Sequence, residues 1–132
     1  MTLKFNFSKK EKLKSIKDIE QLFKKGKSIH QHPFRLTYLE KKEKNGVSVN
    51  FGVSVPKKKI KLAVNRNLIK RRIREAYRLN NHLLKEALQK LDKELNVMVI
   101  YNSEQILSYS EIEGKIKVIL CRLTESCEVD SK

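Results

Sequence analysis

The sequence predicts one α+β domain in which a mixed sheet shares its core with helices. Apolar residues recur at helical spacing in three separate segments, and alternation at period two marks the stretches between them. The 132 residues are enough for one core and too few for two. Hydrophobic residues make up 39% of the chain, which suffices for globular folding and argues against disorder. The domain is expected to span residues 1–132, with an ordered core over about 10–123, a basic N-terminal extension over 1–14 and a frayed tail over 124–132.

Ser15 stands three residues before Asp18, as in a variant capping box. Ile16, Ile19, Leu22 and Phe23 then recur at helical spacing until Gly26 offers a stop, so the first helix is expected over Ile16 to Lys25. Pro33 opens an extended run, Phe34 to Leu39, with Phe34, Leu36 and Tyr38 on one face and Arg35 and Thr37 on the other. A polar loop from Lys41 ends in Asn45-Gly46, a pair that tolerates positive φ. Val47 to Val55 is expected to pair back on the preceding strand, with Gly52 leaving room for a bulge or break. From about Asn65 to Leu91 the pattern is helical, and Leu95 to Tyr101, rich in Val and Ile, reads as a buried strand. Ser108 with Glu111 forms a second capping box, opening a helix whose stripe is Ile112, Ile116, Ile119, Leu120 and Leu123.

Thirty Lys and Arg oppose fifteen Asp and Glu, a net charge of +15. A field of that sign gathers polyanions, so nucleic acid or an anionic membrane is the first expectation for a partner. No run approaches the length of a membrane span, and Met1 to Lys14 mixes Phe5 and Phe7 with lysines where a signal core would be apolar; a cytoplasmic protein is expected. Cys121 and Cys127 lack C-x-x-C spacing and read as inert thiols. His30, His32 and His82 have no cluster of Cys or carboxylate beside them, so no metal site is expected.

Between Pro56 and Arg78 lie ten basic residues against Glu75 alone. On a helical wheel Asn67, Lys70, Arg71, Arg74 and Arg78 fall within about 100°, and Ile69, Ile73 and Ala76 occupy an adjoining apolar sector. Solvation alone would be served by mixed signs, whereas these cations repel one another until a polyanion neutralises them. Arg72 falls outside the sector near Glu75, where an ion pair competes with any role toward RNA. A membrane-surface helix would need large apolar residues beside the cations. A DNA-reading helix-turn-helix would need a helix immediately before this one, where strand and basic loop are expected instead.

The stretch A-V-N-R-N-L-I-K-R-R-I-R-E-A-Y-R, Ala63 to Arg78, resembles the arginine-rich signature of the protein subunit of bacterial ribonuclease P, which Arg66, Asn67, Lys70, Arg71, Arg74 and Glu75 match. The resemblance extends to D-I-E-Q-L-F-K-K-G-K-S, Asp18 to Ser28, and to F-G-V-S-V-P-K-K before the signature, covering most of residues 10–123. It implies an αβββαβα sandwich of the ribosomal-protein-like kind, with a left-handed βαβ crossover against the usual rule. It also implies an accessory subunit, one protein per RNA, which assists a catalytic RNA using magnesium ions in removing the 5′ leader from precursor tRNA. Arg66, Asn67, Lys70, Arg71, Arg74, Lys57 and Lys58 become the RNA-binding candidates, and Ile19, Phe23, Phe34 and Thr37 the candidates for a leader-binding cleft. Phe23 and Phe34 are each equally readable as core residues. Ile19 and Thr37 stand where many relatives carry Phe and some carry Tyr, Lys59 to Leu62 replaces a shorter Gly-Asn segment, and Asn102 takes the place of a basic residue.

The residues agree with that division of labour. They offer no carboxylate cluster for catalytic metal, no Ser/His/Asp constellation and no Gly-rich phosphate loop, so no catalytic residue is expected in the chain. They do combine phosphate-seeking cations with apolar residues on which unpaired bases can pack. The same charge and α+β pattern would also suit a ribosomal or other structured-RNA-binding protein without a processing role.

Overall fold

The computed structural model describes residues 11–130. Its elements run α1 (Ile16–Lys25), β1 (Lys27–Gln31), β2 (Phe34–Glu40), β3 (Val49–Ser54), α2 (Ala63–Asn80), α3 (His82–Leu91), β4 (Leu95–Tyr101) and α4 (Tyr109–Asp130). The first helix keeps its expected bounds, with the Ser15 hydroxyl accepting from the Asp18 N–H at 3.3 Å. At α4 the Ser108 and Glu111 side chains each take the other's backbone N–H, at 3.2 and 3.4 Å, closing a full capping box.

The sheet order is β1-β2-β4-β3, antiparallel except for the β3–β4 pair. Val47 to Val55 therefore does not form a hairpin with the preceding strand. β4, apolar on both faces, takes the central position between β2 and β3, and β3 moves out to the edge. The loop after β2 wraps the entrance of β4: the Glu94 carboxylate accepts from the N–H groups of Asn45 (2.8 Å) and Gly46 (3.0 Å), and Gly46 sits at φ 87°. Lys41, nearly buried beneath this loop, donates to Asn45 Oδ1 and the Val47 carbonyl; burial lowers its pKa against the opposing pull of Glu94. Gly52 makes no bulge, since pairing runs unbroken through Val49–Ser54. Its missing side chain makes room for Met98 and Leu13.

Two further expectations change. The helical pattern from Asn65 to Leu91 is divided at Asn81: the Asn80 side-chain amide donates to the Ala76 carbonyl at 2.7 Å, and the Asn81 carbonyl takes the Lys85 N–H to begin α3. The tail expected to fray from residue 124 is helical to Asp130, because Cys127 continues the buried stripe one turn beyond Leu123 and Asp130 pairs with Lys27 at 3.0 Å. Burial pushes the Cys127 thiol up to about 11.

One sheet face, bearing Phe34, Leu36, Val49, Phe51, Val97 and Val99, is sealed by α2, α3 and α4. The opposite face is covered only partly. There α1 and its flanking residues cross the strands, from Leu13 ahead of the helix, beside Gly52 of β3, to the C-cap Gly26 against Thr37 and Tyr38 of β2, and Leu22 plugs the contact. Gly26 is required by proximity: a Cβ there would lie 2.3 Å from the Leu22 carbonyl oxygen and 2.8 Å from Thr37 Cγ2. Gly26→Ala is expected to lower stability by about 1–3 kcal/mol in denaturant unfolding, as overpacked sites do.

Candidate nucleic-acid interface

α2 is oriented by what it buries. Ile69, Ile73, Ala76 and Tyr77 enter the core, and the Tyr77 ring stacks on Phe51 of β3 with centroids 3.8 Å apart and planes 5° from parallel. Rotating 100° per residue from that anchor puts Asn67, Arg71, Arg74 and Arg78 on the outward side. With Lys12, Val64 and Glu75 these four line an open groove of about 620 Å³.

The arginines of this helix serve different ends. Arg66 Nη1 donates to the carbonyls of Ile60 (3.0 Å) and Lys61 (2.7 Å), so its guanidinium ties down the loop entering α2. Arg72 donates to the Leu107 carbonyl ahead of α4 and does not pair with Glu75. Glu75 is instead held by Arg78, which keeps its carboxyl below the usual range; the single carboxylate among the described residues lining the groove is thereby neutralised. Arg71 and Arg74 are exposed, Asn67 is exposed beside them, and Lys70 is half-buried at the sector's edge. Lys57 and Lys58 project from the turn that follows Pro56, where the Pro56 carbonyl accepts from the N–H groups of Lys59 and Ile60.

The four residues expected in the leader cleft separate. Phe34 is 2% exposed on the sealed face and meets Tyr101 edge-on at 5.8 Å, so it is a core residue and not a platform for bases. Thr37 is also 2% exposed, beneath the end of α1, with its hydroxyl 3.3 Å from that of Ser28. Ile19 is half-buried and Phe23 is 49% exposed, and both lie on one flank of α1. The opposite flank, through Asp18 and Gln21, faces Lys41 and Asn96 at the other end of the sheet. Ile19 and Phe23 therefore border the end left uncovered, where register aligns His30, Arg35, Ile100 and Ser54 in one row. Arg35 and His30 are exposed and Ile100 half-buried. Sequence alternation had already put Arg35 on the face opposite Phe34, but joining it to Ile100 and Ser54 requires the strand order.

The family model for Ribonuclease P matches residues 7–124. A ribonuclease P protein component of Porphyromonas gingivalis is 34% identical over 119 residues, covering 90% of this chain and 87% of its own. One from Streptococcus agalactiae is 35% identical over 112 residues, covering 83% and 90%. Among solved structures, the RNase P protein of Staphylococcus aureus superposes with a TM-score of 0.70 at 24% identity, over 86% of this chain and 94% of that one. That of Thermotoga maritima gives 0.66 at 24% identity, over 85% and 96%. These two establish likeness of fold.

The contrasting environments of the two phenylalanines set a test. Phe34→Ala is expected to cost about 3–5 kcal/mol in chemical denaturation, the range for emptying a buried aromatic site. Phe23→Ala, half in solvent already, is expected to cost less than about 1.5 kcal/mol. Equal losses would contradict the placement of Phe34 in the core and Phe23 at the rim.

Proposed function

The chain belongs to the ribonuclease P protein family, and from that premise we propose that the outward face of α2 holds the RNA subunit while the uncovered end of the sheet holds the single-stranded 5′ leader of precursor tRNA. Membership makes the chain a subunit of a tRNA-processing ribonuclease and an associate of ribonuclease P RNA. The observation that carries the finer assignment is the outward pair Arg71 and Arg74, with Asn67 beside them, on a helix whose own carboxylate, Glu75, is already neutralised by Arg78. Cations in that arrangement repel one another in the free protein and are relieved by phosphates.

The leader assignment rests on shape and chemistry together. The row His30, Arg35, Ile100, Ser54 offers cationic and hydrogen-bonding groups around an apolar side chain, and Phe23 and Ile19 stand at its border. A single strand needs such a surface, with bases on apolar or aromatic groups and phosphates on cations. In this reading the RNA subunit supplies the hydrolytic centre and its magnesium ions, one protein serves one RNA, and this chain contributes binding and alignment.

Salt titration of binding to the cognate ribonuclease P RNA tests the helix face. Arg71→Ala and Arg74→Ala are each expected to lower the log-log salt slope by about 0.7 to 0.9 with unfolding midpoints unchanged. Phe23→Ala is expected to leave that slope alone and to weaken holoenzyme binding by about 1–3 kcal/mol for leader-bearing precursor, sparing mature tRNA. Unchanged slope and affinity in both arginine variants would reduce the face to a solvated surface. The protein freed of RNA is expected to leave precursor tRNA uncut at every magnesium concentration; leader removal under those conditions would refute the assignment of catalysis to RNA.

A further inference from the structure

Residues ahead of α1 touch the edge of the four-stranded sheet through one isolated parallel bridge. Lys12 pairs in parallel with Phe51 at the outer edge of β3, the Leu13 N–H donates to the Phe51 carbonyl at 3.1 Å, and the Asn50 side chain donates to the Lys12 carbonyl at 3.4 Å. In that register the Lys12 side chain shares the sheet face of Phe51, whose ring stacks on Tyr77 of α2, while Leu13 lies beside Gly52 on the opposite face. Lys12 thus borders the groove whose other side carries Asn67, Arg71 and Arg74. Just before it, the Glu11 carboxylate accepts from Lys85 Nζ of α3 at 3.1 Å, with both side chains largely covered.

We infer that the Glu11–Lys85 ion pair is a latch that holds Lys12 over the α2 groove, making Lys12 a further RNA-contacting residue and the groove a channel for one phosphodiester strand of the RNA subunit. The inference rests on the proposed role of the α2 face. Two separate chain segments place cations on opposite sides of a groove about 620 Å³ in volume, and Glu75, the one carboxylate among its described lining residues, is bound by Arg78. A flat basic face tolerates phosphates in many orientations. A groove with cations on both walls fixes the path of one strand, which is what alignment of a substrate requires. Glu11 is then a positioning residue: an acid near an anion-binding groove weakens it by repulsion, unless its effect on where Lys12 sits is larger.

That conflict of sign gives the test, made on the full chain with cognate ribonuclease P RNA and with thermal unfolding of every variant. Lys12→Ala should lower the salt slope by about 0.7 to 0.9, equivalent to about a sixfold weakening at 0.1 M salt. Glu11→Ala raises the net positive charge, so electrostatics alone would tighten binding; the latch predicts weaker binding and a reduced slope. Exchanging the pair, Glu11→Lys with Lys85→Glu, keeps the net charge and should restore both. Tighter or unchanged binding by Glu11→Ala would overturn the latch. An unchanged slope in Lys12→Ala beside a lowered slope in Arg71→Ala would overturn the inference and leave the role of α2 standing. Unchanged slopes in both would overturn the two together.

Discussion

The stack of Phe51 on Tyr77 is the contact on which the presentation of the cationic face depends. Both rings are essentially excluded from solvent, so the contact contributes through the apolar area it buries. Its larger consequence is geometric. A helix anchored at Tyr77, Ile73 and Ile69 cannot rotate about its axis, so the outward positions are decided by the inward ones. The same stack joins α2 to the edge strand β3, and Phe51 of β3 forms the isolated bridge that brings Lys12 to the groove. One aromatic contact thus registers three segments against one another.

Local signals and long-range ones were unequally readable. The bounds of α1 and the cap of α4 were legible because a hydroxyl, an acid three residues on and a periodic apolar run all lie within one helical turn. The faces of β2 and β3 were legible for a similar reason, since alternation is intrinsic to the chain, whereas β1, Lys27–Gln31, was not legible as a strand because its five residues carry one buried apolar side chain, Ile29. Which strand lies beside which is not. Val47 to Val55 reads as the partner of the strand before it, since nothing nearby in sequence announces that β4 will enter between them. Only the two-sided apolar character of Leu95–Tyr101 hints that it needs a neighbour on each edge. Likewise, a Phe in an amphipathic strand and a Phe on an amphipathic helix look alike until the layers are assembled, and Phe34 then falls inside while Phe23 falls at the rim.

The arginine-rich signature illustrates the limit most sharply, because it reads as one motif and acts as several. Of the five arginines of α2, Arg66 and Arg72 spend their hydrogen bonds on backbone carbonyls of the segments before α2 and before α4. Arg78 cancels Glu75. Arg71 and Arg74 remain to carry the outward charge. A guanidinium suits both kinds of task, since its planar fork of donors binds a pair of carbonyls as readily as a phosphate. The division follows from angle about the helix axis. Arg66 lies at about 60° from Ile69 on the wheel, next to the core, whereas Arg71 and Arg74 lie at about 160° and 140°.

This division bears on what removing any one arginine measures. Loss of Arg66 releases the loop that carries Lys57 and Lys58 into α2, and loss of Arg72 leaves the Leu107 carbonyl without that donor, so either change alters RNA binding through the placement of other groups. Loss of Arg78 would free the Glu75 carboxylate inside the groove, turning a neutral pair into a net negative charge facing phosphate. Only at Arg71 and Arg74 does removal of the side chain subtract a cation and little else. The salt dependence of binding is therefore a clean count of phosphate contacts at those two positions, and a mixture of contact and architecture at the other three.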